Sequence, residues 1–356
     1  MNEPVDITLD EARGIFEAAK RIIVLTHERP DADCLGAGAA LVLAARKLGK
    51  KAFALNADEI PDRLKFIAGI VGENDEQKDG RLPVYITAEP AESIADAVSC
   101  FNPDLIIAAD TAELSLLGDY APVFSGCVGL KIDHHPPRDN FGAFNCVDDT
   151  VSSCCEIIFR ILEPLGVIDK EIAAALYAGI IADSGNFKYP AVTADTHLAA
   201  AALIETGISH SDISERMFGK RTEKDLAALR IALDTLERFS CPRRDGKEIG
   251  CASIYISNAD KEKYSLDDAD LGGLNSFARD IEGVDVGVTI KQVTDEPTKF
   301  KLSFRSSKTN VSLICEQLGG GGHVRASGGA VEAESPEDAK RLIREAIEKY
   351  GEPIIE

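Results

Sequence analysis

The side chains that could do chemistry in this sequence are aspartates and histidines that follow apolar runs. They are His27, Asp31 and Asp33 after RIIVLT, Asp110 after DLIIAA, Asp133, His134 and His135 after VGLKI, and Asp183 in the run LYAGIIADSGNF. Carboxylates and imidazoles without cysteine are ligands of Mn²⁺ or Mg²⁺ rather than of structural zinc. Two such ions roughly 3.5 to 4 Å apart need several protein ligands, one of them a bridging carboxylate. The set therefore predicts a two-metal hydrolase.

The elements that position these residues alternate between strands and helices, as parallel βαβ units require. Predicted strands are RIIVLT, KAFALNA, VYITA, DLIIAAD and VGLKI, with the helices LGAGAALVLAARKLG and AESIADAVSCF between them. Thr8 and Glu11 form a predicted capping box for a helix that ends near Lys20. Residues 152–206 read as helices. We predict an α/β fold whose N-terminal part is a doubly wound, mostly parallel sheet, and its strand ends are where such folds hold their chemistry.

A second, smaller α/β domain is predicted near the C-terminus. Residues 222–239 read as an amphipathic helix and CPRRDGKEIG as a polar break. Beyond it, CASIYIS, DVGVTIKQV, KFKLSFRSS and SGGAVEA read as strands, and LGGLNSFARDI, VSLICEQL and SPEDAKRLIREAIEKYG as helices. We predict a catalytic domain at 1–210, a helical linker at 211–245 and a second domain at 246–356.

Composition excludes several classes of protein. The net charge of -21, from 60 acids and 39 bases, argues against binding long nucleic acid through its backbone, but permits a small anionic substrate neutralised by metal ions or a local basic pocket. No apolar run approaches the roughly 20 residues of a membrane span, and no signal peptide is recognisable. The nine cysteines form no CxxC pair. We therefore expect a soluble, cytoplasmic protein that does not bind membranes.

From about residue 20 to about residue 330, the sequence resembles the DHH phosphoesterases with a DHHA1 C-terminal domain, particularly their short-oligoribonuclease and nucleotide phosphatase branch. His27-x-x-Pro-Asp31-x-Asp33 resembles the first family motif, Asp110 the second, Asp133-His134-His135 the signature, and Asp183 the fourth. GGGGH, which ends at His323, resembles the hallmark of DHHA1. Ala32, where the family usually has glycine, and Cys34 depart from the pattern.

The resemblance implies a role for each of these residues. His27, Asp31 and Asp110 would hold one Mn²⁺, with Mg²⁺ as the alternative ion. Asp33, Asp110, His134 and Asp183 would hold the second ion. The catalytic set would be His134, His135, Asp110 and Asp133: water between the ions would attack, His135 would face the scissile phosphate, and Asp133 would orient a histidine.

The resemblance also implies a substrate-binding patch in the second domain and an active site in the cleft between the domains. Besides His135, the implied substrate-binding residues are Arg305, Ser306, Gly320, Gly321, Gly322, His323 and Arg325. Glycines allow backbone N–H groups to approach phosphate, and arginine offers a bidentate fork. Homodimers are common in the family, although no surface in the sequence identifies itself as an interface.

The predicted function is hydrolysis of short RNA or DNA, including linear dinucleotides such as pApA, to 5′-mononucleotides. Removal of one phosphate from 3′-phosphoadenosine 5′-phosphate (pAp) is an expected second activity. One alternative is a phosphodiesterase for cyclic dinucleotides; pyrophosphate or polyphosphate is disfavoured by the glycine run. Another is a nucleotide-binding regulatory protein without turnover, against which the intact ligand set argues. No function is predicted for the acidic segment around residues 71–92.

Overall fold

The computed structural model describes residues 4–69, 84–124, 128–136, 139–243, 246–268 and 270–354. Most of the predicted acidic segment, at residues 70–83, lies outside these ranges. The chain divides into two compact units, residues 1–220 and residues 221–356. No helix among the described residues has both the length and the apolar character needed to cross a membrane.

The first unit is built around a parallel sheet. In chain order its described elements are β1 (Val5–Asp6), α1 (Leu9–Ala18), β2 (Arg21–Thr26), α2 (Ala32–Lys47), β3 (Lys51–Asn56), α3 (Lys65–Gly69), β4 (Tyr85–Thr87), α4 (Ala91–Phe101), β5 (Leu105–Ala109), α5 (Ala121–Phe124), β6 (Gly129–Asp133), β7 (Phe144–Val147), α6 (Cys154–Leu162), α7 (Lys170–Asp183), α8 (Ala194–Glu205) and α9 (His210–Ser214). The strand order is β1-β7-β6-β5-β2-β3-β4, and every neighbouring pair is parallel. The predicted doubly wound sheet is confirmed; β1 and β7 were not predicted.

Alternation within the central strands builds an apolar core on each face of this sheet. Ile22 and Val24 of β2 pack into one hydrophobic cluster, whereas Ile23 and Leu25 pack into another. Because both faces are covered, the strands read as continuous apolar runs rather than as alternating ones. The capping box of Thr8 and Glu11 at the start of α1 also forms as predicted.

Close helix packing explains the small residues of α2. A Cβ added to Gly36 would lie 2.5 Å from the carbonyl oxygen of Ala175 in α7. Only glycine allows the two backbones to approach this closely. This packing brings the start of α2 next to α7, whose last residue is Asp183.

The second unit is also α/β, with a mixed sheet. In chain order its described elements are α10 (Glu223–Thr235), β8 (Glu237–Pro242), β9 (Glu248–Ile256), α11 (Asn258–Tyr264), β10 (Val286–Gln292), β11 (Lys299–Ser306), α12 (Val311–Gln317), β12 (Gly321–His323), β13 (Ala326–Glu332) and α13 (Pro336–Tyr350). The strand order is β12-β13-β11-β10-β9-β8. The pair β9–β10 is parallel, and the other pairs are antiparallel.

Two predicted helices differ from the structure. The helix predicted at 222–239 ends at Thr235, because residues 237–242 form strand β8, whose Cys241 is buried in the core. The predicted linker at 211–245 is accordingly divided between the two units at residue 220. LGGLNSFARDI forms a 3₁₀ segment at Gly272–Leu274 followed by turns. Adjacent glycines at its start disfavour an α-helix.

Candidate active site

The predicted metal ligands of the first unit meet at one edge of its sheet. His27, Asp110 and the Asp133–His135 segment lie at the carboxyl ends of β2, β5 and β6, which are neighbours in the sheet. Asp31 and Asp33 lie at the start of α2, and Asp183 ends α7. The carboxyl ends of adjacent parallel strands form one edge, so residues far apart in sequence converge there.

Asp110 lies between three histidines. Its Oδ2 atom is 3.5 Å from His27 Nε2, and its Oδ1 atom is 3.5 Å from His134 Nε2 and 3.6 Å from His135 Nδ1. Asp110 is almost fully buried, and its φ of 55° places it in the left-handed region. Aspartate tolerates this region better than most residues, and such backbone strain is concentrated at functional sites.

The remaining predicted ligands divide into two groups on either side of Asp110. His27 Nε2 is 3.7 Å from Asp31 Oδ2. On the other side, His134 Nε2 is 3.3 Å from Asp183 Oδ2 and 3.8 Å from Asp33 Oδ2. The structure therefore brings together all six predicted ligands, in the two groups that share Asp110.

The cluster is suited to cations. Asp110 Oδ1 and His134 Nε2 are buried and have no hydrogen-bond partner among the described residues. A buried polar atom left without a partner is costly, and a cation beside it removes that cost. Oxygen and imidazole donors suit Mn²⁺ and Mg²⁺. The donor set and its two unsatisfied atoms thus fit divalent ions.

Burial and like charge perturb the acids and histidines of the cluster. Burial, reinforced by the charges of Asp110 and Asp183, raises the pKa of Asp33 well above its usual value. Burial disfavours the charged form of His134, but the carboxylates of Asp183, Asp33 and Asp110 together outweigh it and raise the pKa of His134 to about 10. In the same way, Asp110, Asp31 and Cys34 together outweigh burial and raise the pKa of His27. Without cations, the cluster retains protons that balance its negative charge.

Hydrogen bonds hold the acids of α2 in place. Asp31 caps the helix, since its Oδ1 atom accepts from the backbone N–H groups of Asp33 and Cys34, both at 3.0 Å. Asp33 accepts at the start of α6, from the N–H groups of Cys154 at 2.6 Å and Cys155 at 3.0 Å. A helix N-terminus favours a carboxylate. The two helix starts therefore fix both carboxylates.

Cys34, which departs from the family pattern, lies beside His27 and Asp31. Burial raises the pKa of its thiol to about 12. Only a thiolate is a good metal ligand. The buried thiol, whose Sγ donates to the Asp31 carbonyl at 3.5 Å, is therefore a packing residue.

Hydrogen-bond contacts orient two of the histidines beside Asp110, His27 and His135. His27 Nδ1 lies 2.7 Å from the carbonyl oxygen of Glu28, which directs Nε2 toward Asp110. His135 Nδ1 donates to Asp133 Oδ1 at 2.8 Å. Burial disfavours the Asp133 carboxylate, but His135 outweighs it and lowers the pKa of Asp133. This contact is the one that the predicted role of Asp133, orienting a histidine, would use.

Lys131 is a residue of the site that the sequence prediction missed. It is fully buried in β6, and its Nζ atom lies 3.4 Å from Asp133 Oδ2. The same ammonium donates to the carbonyl groups of Ala112 at 2.8 Å and Asp139 at 3.0 Å. A buried lysine is stable only when it is paired. The lysine inside the apolar run VGLKI was the available signal.

In the second unit, the structure places two predicted substrate-binding residues on one row. Arg305 of β11 and His323 of β12 both pair with Ala326 of β13, one from each side. Directly paired residues point to the same face of a sheet. The two long side chains therefore flank a small one.

Ser306 and Arg325 have structural contacts. Ser306 is buried, and its hydroxyl donates to the Thr309 carbonyl. Arg325 is exposed, and its guanidinium donates to the Ser307 carbonyl. The Ser306 hydroxyl is thus turned into the fold, and Arg325 braces the neighbouring loop.

The glycine run has a structural role of its own. Gly321 and Gly322 lie in β12, and an added Cβ at Gly320 would lie 2.0 Å from the carbonyl oxygen of Gly328. At Gly322, where φ is 147°, it would lie 2.8 Å from the carbonyl oxygen of Ala326. At Gly321 it would meet nothing within 4 Å. Strand pairing therefore explains Gly320 and Gly322, whereas Gly321 faces open space.

Comparison with known proteins assigns both units. Residues 21–180 match the DHH family N-terminal domain, and residues 252–350 match the DHHA1 domain. The chain belongs to the DHH family and carries a DHHA1 domain. The DHH match contains the converging ligands of β2, β5 and β6, and the DHHA1 match contains the row of Arg305 and His323.

Similar proteins match this chain over most of their length. The probable bifunctional oligoribonuclease and PAP phosphatase NrnA of Streptococcus mutans is 27% identical over 88% of this chain and 90% of its own. The bifunctional oligoribonuclease and PAP phosphatase NrnA of Bacillus subtilis is 26% identical over 90% of this chain and 92% of its own. The crystal structure of an exopolyphosphatase-related protein from Bacteroides fragilis has a TM-score of 0.79, with 24% identity and 96% of each chain covered. The last comparison supports the fold.

Asp285 of the DHHA1 domain is a second residue that the sequence prediction missed. Its carboxylate accepts from the N–H groups of Ser307 at 3.1 Å and Lys308 at 2.6 Å, and from the hydroxyl of Thr309 at 2.6 Å. It thereby orders the loop that Arg325 braces. An aspartate at the start of an apolar strand gives no sequence signal for this role.

Proposed function

We propose that this DHH–DHHA1 chain is a metal-dependent hydrolase of short oligonucleotides that releases 5′-mononucleotides. A second proposed activity is removal of one phosphate from pAp. The observation that carries the proposal is the buried group around Asp110, in which Asp110 Oδ1 and His134 Nε2 have no hydrogen-bond partner among the described residues. The activities that name the S. mutans and B. subtilis relatives support the same substrate class.

In this proposal His27, Asp31 and Asp110 hold one Mn²⁺, and Asp33, Asp110, His134 and Asp183 hold the other. When bound, two such ions neutralise charge on the phosphate and activate water. Mn²⁺ is proposed over Mg²⁺ because both groups include imidazole nitrogen, which suits transition metals.

The protein's own groups orient the substrate. The Asp133 carboxylate accepts from His135 Nδ1 and also raises the pKa of His135. A protonated His135 can donate its other N–H to a phosphate oxygen. Its imidazole is more exposed than that of His134, with 38% of the side chain accessible against 12%. His135 therefore faces substrate in this proposal.

The DHHA1 domain supplies the second half of substrate binding. Arg305 and His323 on either side of Ala326 offer hydrogen-bond donors for a phosphate, with Gly321 leaving room for it. We propose that this row holds the other end of the substrate. The net charge of -21 favours short substrates, because 60 acids outnumber 39 bases and leave no surplus of positive charge to follow a longer backbone.

The test is hydrolysis by purified protein that has been stripped of metal with a chelator. Substrates are pApA, a five-residue RNA, a thirty-residue RNA, pAp, cyclic di-AMP and pyrophosphate, each with and without Mn²⁺ or Mg²⁺. Asp110→Asn removes one ligand charge but tolerates the left-handed backbone, and Asp96→Asn, on the exposed face of α4, is the matched control.

The expected result is Mn²⁺-dependent release of AMP from pApA and the five-residue RNA, retained in the control and lost in Asp110→Asn. Preferential cleavage of cyclic di-AMP would replace the proposal with the cyclic dinucleotide activity. Tight binding of pAp without turnover on any substrate, with metal bound, would replace it with a regulatory role.

A further inference from the structure

Strand register arranges one face of the DHHA1 sheet into three rows. At one end, Lys291 of β10 lies directly opposite Lys301 of β11. At the other end lies the row of Arg305 and His323. Between these two rows, the residues of β11, β13 and β12 have a small side chain or none. Ser303 pairs with Gly328, and Gly328 pairs with Gly321. We call Lys291 and Lys301 the lysine row.

The lysine row has little negative charge to balance it. Lys301 Nζ is 3.6 Å from Asp268 Oδ2, but Lys261 Nζ is 3.1 Å from the other oxygen of the same carboxylate. The side chain of Lys291 makes no hydrogen bond or ion pair with another described residue, and the acid whose charge acts on it is the same Asp268. Like charges directly opposite on a sheet destabilise it. Asp268 is therefore the one negative charge among the described residues that Lys261, Lys291 and Lys301 share.

The surroundings of Lys291 add to this imbalance. Its side chain is half-buried, and burial lowers its pKa. The charge of Asp268 opposes that shift, while the cations of Lys261, Lys301 and Arg305 reinforce it. A bound anion would restore the balance, because it interacts favourably with every one of these cations.

A neighbouring lysine shows that the fold can neutralise such a charge. Lys299 is on the same strand and face as Lys301, and its Nζ atom is 3.0 Å from Glu296 Oε1. In a chain with 60 acids, two facing lysines without an acid of their own stand out. They differ from Lys299 in that the one acid near them, Asp268, is shared with Lys261.

We propose that the lysine row is a second phosphate subsite, which binds a backbone phosphate of an oligonucleotide longer than a dinucleotide. Lys301 and Arg305 are four residues apart on β11, about 13 Å along the strand. The intervening floor of Ser303, Gly328 and Gly321 leaves space for the chain between them. This inference rests on the proposed function: pAp and dinucleotides would use the Arg305 row, and only longer chains would reach the lysine row.

The test measures binding of fluorescein-labelled RNAs of two and five residues by anisotropy, in chelator so that no cleavage occurs, and KM for the unlabelled RNAs with Mn²⁺. The variants are Lys291→Gln with Lys301→Gln, and Lys299→Gln as the charge-matched control. Thermal melting establishes that each variant folds. Binding is repeated across salt concentrations, because each phosphate contact contributes about 0.7 to the slope of log affinity against log salt.

The double variant is expected to bind the five-residue RNA roughly ten-fold to a hundred-fold more weakly, with a salt slope reduced by about 0.7 to 1.4. Its KM should rise for that RNA alone, and its affinity and KM for the dinucleotide should match wild type. Equal weakening of both lengths, an effect of Lys299→Gln as large as that of the double variant, or no effect on the five-residue RNA would overturn the subsite. Wild-type protein that neither binds nor hydrolyses any of these nucleotides would instead overturn the proposed function.

Discussion

The two domains collect charged side chains in opposite ways. In the DHH domain, acids and histidines from several chain segments converge at one sheet edge, are largely buried, and lie 3.3 to 3.8 Å apart. In the DHHA1 domain, bases from adjacent strands spread over one face of a sheet and remain partly exposed. A converging buried cluster requires cations and a fixed geometry, whereas a spread, hydrated face can bind anions of different lengths. The DHH cluster should therefore be intolerant of substitution, and the DHHA1 face should tune affinity.

The largest difference in steady-state kinetics is expected between the variants His134→Gln and Arg305→Gln. Loss of a metal ligand should lower kcat about 10³-fold, because metal ions supply several kcal/mol of transition-state stabilisation. Loss of Arg305 should mainly raise KM, by about 10-fold to 100-fold, because its bonds to phosphate form in the bound substrate as well. Steady-state kinetics on pApA would separate the two. A fall in kcat as large for Arg305→Gln as for His134→Gln would erase the distinction.

The buried ion pair beneath the cluster should be the next most sensitive feature. Lys131→Met removes the buried cation beside Asp133 Oδ2 and leaves two carbonyl groups without their buried donor, and we expect a loss of about 3–5 kcal/mol in the free energy of unfolding. The control is Lys47→Met, which removes an exposed pair to Asp169 and should cost no more than about 1 kcal/mol. Denaturant titration measures both. A loss for Lys131→Met as small as that for Lys47→Met would show that the buried ion pair does not stabilise this edge of the sheet.

The glycine run can be divided into structural and functional members. Gly320→Ala should cost about 1–3 kcal/mol of stability, because its Cβ would meet the Gly328 carbonyl oxygen at 2.0 Å. Gly321→Ala should fold as wild type, since its Cβ meets nothing, and should raise KM if phosphate approaches there. Melting curves and kinetics are measured on both variants. An unchanged KM for Gly321→Ala would leave the run with its structural role alone.

The protons of the DHH cluster should make metal binding depend on pH. His134, with its pKa raised to about 10, is protonated in the metal-free protein at neutral pH, so a cation must displace a proton. Because raising the pH removes the competing proton, metal affinity should increase about tenfold per pH unit for each proton released. Calorimetry with Mn²⁺ between pH 6 and 8.5, in buffers of different ionisation enthalpy, measures the release. Affinity that is flat over this range would contradict the protonated resting state.

Local patterns account for the parts of the fold and site that the sequence predicted. A candidate ligand directly follows each of the apolar runs RIIVLT, DLIIAA and VGLKI. Parallel topology brings the carboxyl ends of such strands to one edge of the sheet. The same local method failed at residues 237–242, where pairing with β9 converts the end of a helical pattern into a strand. It also failed at LGGLNSFARDI, because its apolar spacing resembled a helix and the cost of two glycines was underweighted.

The sequence by itself determined the ligand chemistry of this protein: four spaced acid and histidine motifs, ordered as in the DHH family, and a glycine run typical of DHHA1. Only the tertiary structure decided that the Asp33 carboxylate accepts from the start of α6, that Lys131 lies beneath Asp133, and that Lys291 faces Lys301. The physical reason is that residue type limits what a side chain can bind, whereas helix packing and strand register decide which side chains meet. The Asp33 contact joins residues up to 122 positions apart and the lysine pair joins residues 10 apart, separations that local sequence patterns do not encode.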